Sequence, residues 1–148
     1  MKNLTYGKKK PEGTQGIEIL EEDIVAYIDM HGHSRKKNVF IYGNQFPLSS
    51  EKYYRTRLIP KLLSEETQQF RYHSSQFKYE HSKRNTARIH LAREFNLMNC
   101  YTIEASFHGY FDQDRNNFEF TEQAYEEMGE HLANSIFEYM ILMEEETR

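Results

Sequence analysis

The stretch Ile24-Val25-Ala26-Tyr27-Ile28-Asp29-Met30-His31-Gly32-His33 passes from a near-continuous apolar run into two histidines around a glycine. Ile24 to Ile28 holds three β-branched residues and ends at Asp29. Its length and composition predict a short strand buried on both faces, as in a covered sheet. A strand ending in His-Gly-His presents imidazole at the rim of a sheet, where ligands collect in α/β proteins. Gly32 lets the backbone turn sharply or approach a bound group. Imidazole is a common zinc ligand. Asp29, two residues before His31, shares its face and is placed to orient the ring from behind. On spacing alone, His-x-His is more often surface or packing chemistry than a metal site.

Working outward, Val39-Phe40-Ile41-Tyr42 stops at Gly43-Asn44 and reads as a second strand or a packed loop. Glu51 to Leu63 predicts a helix with Tyr54, Leu58, Ile59 and Leu62 on one face. Pro60 inside it predicts a kink, or the junction of two short helices. Residues 64 to 85 lack a clear period and read as a long functional loop. Arg88 to Phe95 reads as a short helix. Cys100 to Phe107 alternates, with Tyr101, Ile103, Ala105 and Phe107 on one face and Thr102, Glu104 and Ser106 on the other. That pattern is a strand. Thr121 is the expected N-cap of a long last helix. Its core stripe is expected at Ala124, Met128, Leu132, Ile136 and Met140. Strands interleaved with helices give an α/β architecture. Residues 1 to 16, rich in Lys and Gly, read as a flexible lead-in, and 17 to 148 as the folded portion.

A length of 148 residues fits one domain, and 38% hydrophobic residues are enough for a core. The net charge of −4 argues against a nucleic-acid partner, which calls for a basic face. The lone cysteine, Cys100, cannot form an internal disulfide, so a reducing compartment is expected. No run approaches the roughly 18 apolar residues of a membrane span. The polar, lysine-rich N-terminus does not read as a secretory signal. These features together predict a soluble cytoplasmic protein.

Two more positions could carry chemistry. Glu104 lies on a strand whose other face is apolar, and a carboxylate there is costly unless paired or solvated in a cleft. The competing reading is a glutamate on an exposed sheet face. The cluster Lys83-Arg84-Asn85-Thr86-Ala87-Arg88 reads by default as a solvated turn before a helix. A functional arginine in it would suit bidentate recognition of a carboxylate.

Asp29 to Phe40 resembles the Asp-x-His-Gly-His-Ser strand-end motif of the cytosolic carboxypeptidases, a branch of the zinc carboxypeptidase superfamily. Tyr101-Thr102-Ile103-Glu104 is similar to the family's Tyr-Thr-x-Glu. Ser82 to Arg88 resembles Ser-Lys-Glu-Gly-Thr-Gly-Arg, with Arg84, Asn85 and Ala87 departing from it. Tyr125-Glu126-Glu127-Met128-Gly129 resembles Leu-Glu-Glu-Met-Gly. The four matches are collinear and span about residues 24 to 142. The resemblance implies the zinc carboxypeptidase fold, a mixed, mainly parallel sheet flanked by helices. It implies Zn2+ as cofactor, His31 as a zinc ligand, Glu104 as general base and Arg88 as reader of an acidic substrate side chain. The family also uses a tyrosine, for which Tyr72 and Tyr79 are the candidates. The implied reaction is zinc-assisted removal of glutamates from acidic protein tails, such as those of tubulin, in the cytoplasm with cytoskeletal or ciliary association. No membrane partner is expected.

The family's first two zinc ligands come from an upstream His-x-x-Glu, and none of the seven histidines here has a Glu three residues later. The chain therefore matches the C-terminal half of a catalytic domain, with the N-terminal half missing, and is expected to be incomplete as an enzyme. Two alternatives remain at this stage. One is a non-catalytic remnant that binds acidic tails or a partner. The other is an α/β interaction module without a metal.

Overall fold

The computed structural model describes residues 24–146 and 148. The lead-in expected at residues 1 to 16 lies outside them. The order of elements is β1 (Tyr27–His33), β2 (Val39–Tyr42), α1 (Glu51–Glu66), α2 (Ala87–Glu94), β3 (Cys100–Ser106), β4 (Tyr110–Phe111), β5 (Asn117–Phe118) and α3 (Glu122–Glu146). The main sheet has the order β1-β3-β2, with β1 parallel and β2 antiparallel to β3. It is thus a mixed sheet, and β4 and β5 form a separate hairpin.

Alternation divides the main sheet cleanly. Val39, Ile41, Tyr101 and Ile103 point into a core completed by Ile59, Leu62 and Leu63 of α1 and by Met128, Leu132 and Tyr139 of α3. The opposite face carries Asp29, His31 and His33 from β1, Thr102 and Glu104 from β3, and Phe40 and Tyr42 from β2. Parallel register pairs His31 with Glu104, and antiparallel register pairs Phe40 with that same Glu104. The polar sites therefore share one face because a period of two sends them all away from the core.

Four elements differ from expectation. The strand does not stop at Asp29 but runs through the histidine motif to His33. It lies at the edge of the described sheet and is half-buried to exposed, not buried on both faces. Pro60 does not divide α1, which is one continuous helix of 16 residues. Proline removes the N–H that would bond the carbonyl of Thr56, and the buried Tyr101 hydroxyl donates to that carbonyl instead, at 2.8 Å. The irregular stretch after α1 is an ordered strap. Val39 N–H donates to Gln69 O and Gln76 N–H to Ile41 O, both at 2.8 Å, which lays the strap along the outer edge of β2. In α3, Thr121 caps as expected, its hydroxyl accepting from Ala124 N–H at 3.2 Å. The buried stripe, however, runs Ala124, Met128, Leu132, Ser135, Tyr139. Each four-residue step overshoots a full turn by about 40°. A three-residue step restores the face, and Met140 is left 40% exposed. Among the described residues no helix is long and apolar enough to cross a membrane.

Candidate functional site

A cleft of about 300 Å³ opens on the polar face of the sheet, and His31, Glu104 and Arg88 all line it. They arrive from three elements: the end of β1, the middle of β3 and the first turn of α2. Asp29, Tyr42, Thr86 and Thr102 complete its inner wall, and Lys78, Glu80 and Lys83 of the strap stand at its margin.

His31 is half exposed, and its Nδ1 lies 3.2 Å from Asp29 Oδ1. A carboxylate beside one ring nitrogen is the arrangement that orients an imidazole ligating through the other. Glu104 is mostly buried, with Oε2 3.6 Å from Nδ1 of His33. The His33 ring stands edge-on to the buried Phe40 ring at 4.9 Å, and its Nε2 has no hydrogen-bond partner among the described residues. His33 thus props Glu104 from beside the cleft.

Arg88 departs most from the default reading of its segment. It is 5% exposed, not a solvated residue before a helix. One terminal nitrogen donates to Gly43 O at 2.5 Å and to Asn44 Oδ1 at 2.7 Å. Burial pulls the guanidinium below its ordinary pKa, against the fields of Cys100, Glu80 and Tyr42. Its Nε and the hydroxyl of Thr86 are buried without partners among the described residues. Both belong to cleft-lining residues at the N-terminus of α2, where the helix dipole also favours an anion. Buried polar atoms left without partners are costly, so this corner favours an acceptor that can reach it.

Neither sequence-proposed tyrosine lines the cleft. Tyr72 packs against Phe77 and the core, and Tyr79 stacks under Arg93 on another surface. The tyrosine in the cleft is Tyr42. Burial raises its pKa, and the carboxylates of Glu104 and Glu80 add to the rise, so its hydroxyl stays a donor. The signal that finds it is register: Tyr42 pairs with Thr102, one step of two from the Phe40–Glu104 pair.

A catalytic zinc takes three protein ligands and one open position. Among the described residues no group of three His, Cys, Asp or Glu could hold a metal. His31, backed by Asp29, fits one position of such a centre, and the described residues do not make a whole one.

Comparison with known proteins gives the lineage of this arrangement. No family model matches the chain. Cytosolic carboxypeptidase 2 of Xenopus tropicalis is 34% identical over 125 residues, which is 82% of this chain and 12% of that protein. Cytosolic carboxypeptidase 6 of Homo sapiens is 35% identical over 115 residues, 76% of this chain and 23% of that protein. The chain thus spans less than a quarter of the length of either relative. Among solved structures, a metallo-carboxypeptidase from Burkholderia cenocepacia superposes with a TM-score of 0.64 over 80% of this chain and 31% of its own. At 14% identity that likeness concerns the fold alone.

Proposed function

The chain belongs to the cytosolic carboxypeptidase family, and from that premise we propose that it forms the part of a metallocarboxypeptidase active site that carries the general base and the acidic-substrate pocket. The substrate class is the glutamate-rich tail of a cytosolic protein, tubulin among them. What supports the reading is convergence: His31, Glu104 and Arg88 meet in one cleft, and its inner corner holds an unpartnered guanidinium nitrogen and an unpartnered hydroxyl.

In this reading His31 would hold zinc, which when bound supplies Lewis-acid polarisation of the scissile carbonyl and of water. Asp29 fixes the His31 ring. Glu104 accepts a proton from water in the cleft and returns it to the leaving amine. Arg88 and Thr86 take the side-chain carboxylate of a substrate glutamate, and the Tyr42 hydroxyl donates from the facing strand.

A second reading rests on the single ligand position: the chain by itself binds acidic tails without cleaving them. One experiment addresses both. The chain replaces the matching segment of human cytosolic carboxypeptidase 6, and release of glutamate from a glutamate-tailed peptide is followed. Release by the chimera, lost in Glu104→Gln, is the expected result. Release that survives Glu104→Gln sinks the assignment of the base. Zinc-dependent release by the isolated chain, lost in the same variant, would overturn the view that it supplies only part of the site.

A further inference from the structure

A second and larger concavity, about 840 Å³, lies apart from the cleft. Four cationic side chains line it, Lys36, Lys37, Arg71 and Arg115, together with Phe111 and Asn38, and its described lining contains no carboxylate. Three of the cations are anchored by neutral groups. Lys36 Nζ sits 4.7 Å over the Phe40 ring, and Lys37 Nζ sits 4.5 Å over Phe111 and contacts Asn117 Oδ1. Arg71 donates to the carbonyls of Phe111 and Asp112 at 3.0 and 2.6 Å. The carboxylate of Asp112, which feels the field of Arg71, accepts the N–H and side-chain amide of Asn116, both at 2.8 Å. Four positive charges are therefore gathered in one hollow of a chain whose net charge is −4, which focuses an attractive field on anions there.

The buried Phe40 ring touches one lining residue of each site. Tyr42, in the cleft, lies 5.6 Å from the Phe40 ring, and Lys36, in the hollow, lies 4.7 Å from that ring on its own side. The Tyr42 ring and Lys36 Nζ are therefore within about 10 Å of each other, roughly the span of three residues of extended chain. We propose that the basic hollow is a second binding site for an acidic polypeptide, taking the part of a glutamate- or aspartate-rich segment that lies a few residues before the end held in the cleft. A nucleic acid is the less suitable polyanion, because the described lining offers bases a single ring to stack on, Phe111, and Lys37 Nζ already covers it. The order in which the segment occupies the two sites rests on the cleft reading above; the hollow's affinity for acidic peptide does not.

Fluorescence anisotropy with labelled decaglutamate and triglutamate tests this on the chain as it stands. Arg71 is left alone because it holds the Phe111–Asp112 backbone. The pair Lys36→Glu and Arg115→Glu is exposed, with Lys36→Gln and Arg115→Gln as the neutral counterpart and thermal melting as the check on folding. The expected result is at least tenfold weaker decaglutamate binding in the reversed pair, an intermediate loss in the neutral pair, and a shallower salt dependence. Triglutamate binding is expected to be unchanged. Decaglutamate binding that is absent in the native chain, or equal in native and reversed chains, overturns the proposal, as does equally tight binding of a ten-nucleotide single strand. Triglutamate that fails to bind, while decaglutamate still responds to the reversal, sinks the cleft reading and leaves the hollow standing.

Discussion

Asp29 Oδ1 lies 3.2 Å from Nδ1 of His31, two positions along the same face of β1. A carboxylate is an acceptor, so a neutral ring gains by carrying its proton on Nδ1 beside Asp29 and leaving the Nε2 lone pair free. The prediction follows directly. In 15N-labelled chain at a pH where the ring is neutral, His31 reports the Nδ1–H tautomer. In Asp29→Ala the population moves toward Nε2–H, the form preferred by a free histidine side chain. An unchanged tautomer in the variant would mean that Asp29 does not orient the ring.

Arg88 is both a structural and a binding group, and the two roles separate by substitution. Removing the guanidinium leaves Gly43 O and Asn44 Oδ1 without their donor. Arg88→Met is expected to lower unfolding free energy by about 1–3 kcal/mol, read from urea titration, because buried acceptors lose their partner. Arg88→Lys restores a charge but not the fork, so it recovers part of the stability. It is still expected to lose the preference for triglutamate over trialanine, measured calorimetrically. Full retention of that preference in Arg88→Lys would remove Arg88 from the substrate pocket.

The sequence exposes some of this site and hides the rest for identifiable reasons. Strand alternation is a local signal, so Glu104 could be assigned to the face opposite Tyr101 and Ile103 without knowing its neighbours. His31 needed the family motif, since His-x-His spacing alone is weak. Tyr42 was hidden because a four-residue apolar run does not say which face meets the core; only its pairing with Thr102 does. The burial of Arg88 was hidden because its partners, Gly43 and Asn44, lie over forty residues away. The course of α1 through Pro60 was hidden for the same reason. The compensating donor comes from β3, and helix rules applied to residues 51 to 63 cannot see it.

That donor yields a coupling test. Tyr101 Oη donates to Thr56 O at 2.8 Å, with Asn99 Oδ1 at 3.0 Å competing for the same proton. Tyr101→Phe is expected to cost about 1–3 kcal/mol, because it leaves a buried carbonyl unpaired. Pro60→Ala supplies the helical N–H to that carbonyl. In the Pro60→Ala background the cost of Tyr101→Phe should therefore shrink by about 0.5–1.5 kcal/mol in a double-mutant cycle of urea unfolding. Strict additivity would show that the hydroxyl does not replace the missing helical bond.

Cys100 gives the alkaline limit of the fold. Its side chain is fully buried, and burial pushes the thiol from an ordinary 9.0 up to about 11, with Arg88 opposing the rise. The sign is fixed by proton uptake. Between pH 9 and 11 the unfolded chain has released the thiol proton while the folded chain still holds it, so the unfolded state binds fewer protons and stability falls as pH rises. The contribution is fully present below pH 9 and lost through about pH 11, and amounts to about 2–3 kcal/mol for a shift of this size. Tyr101, also raised by burial, adds a loss of the same sign at higher pH. The urea midpoint of the native chain is therefore expected to decline across pH 9 to 11, and that of Cys100→Ala to decline less in the same window. Parallel declines in the two proteins would show that the thiol stays out of the linkage.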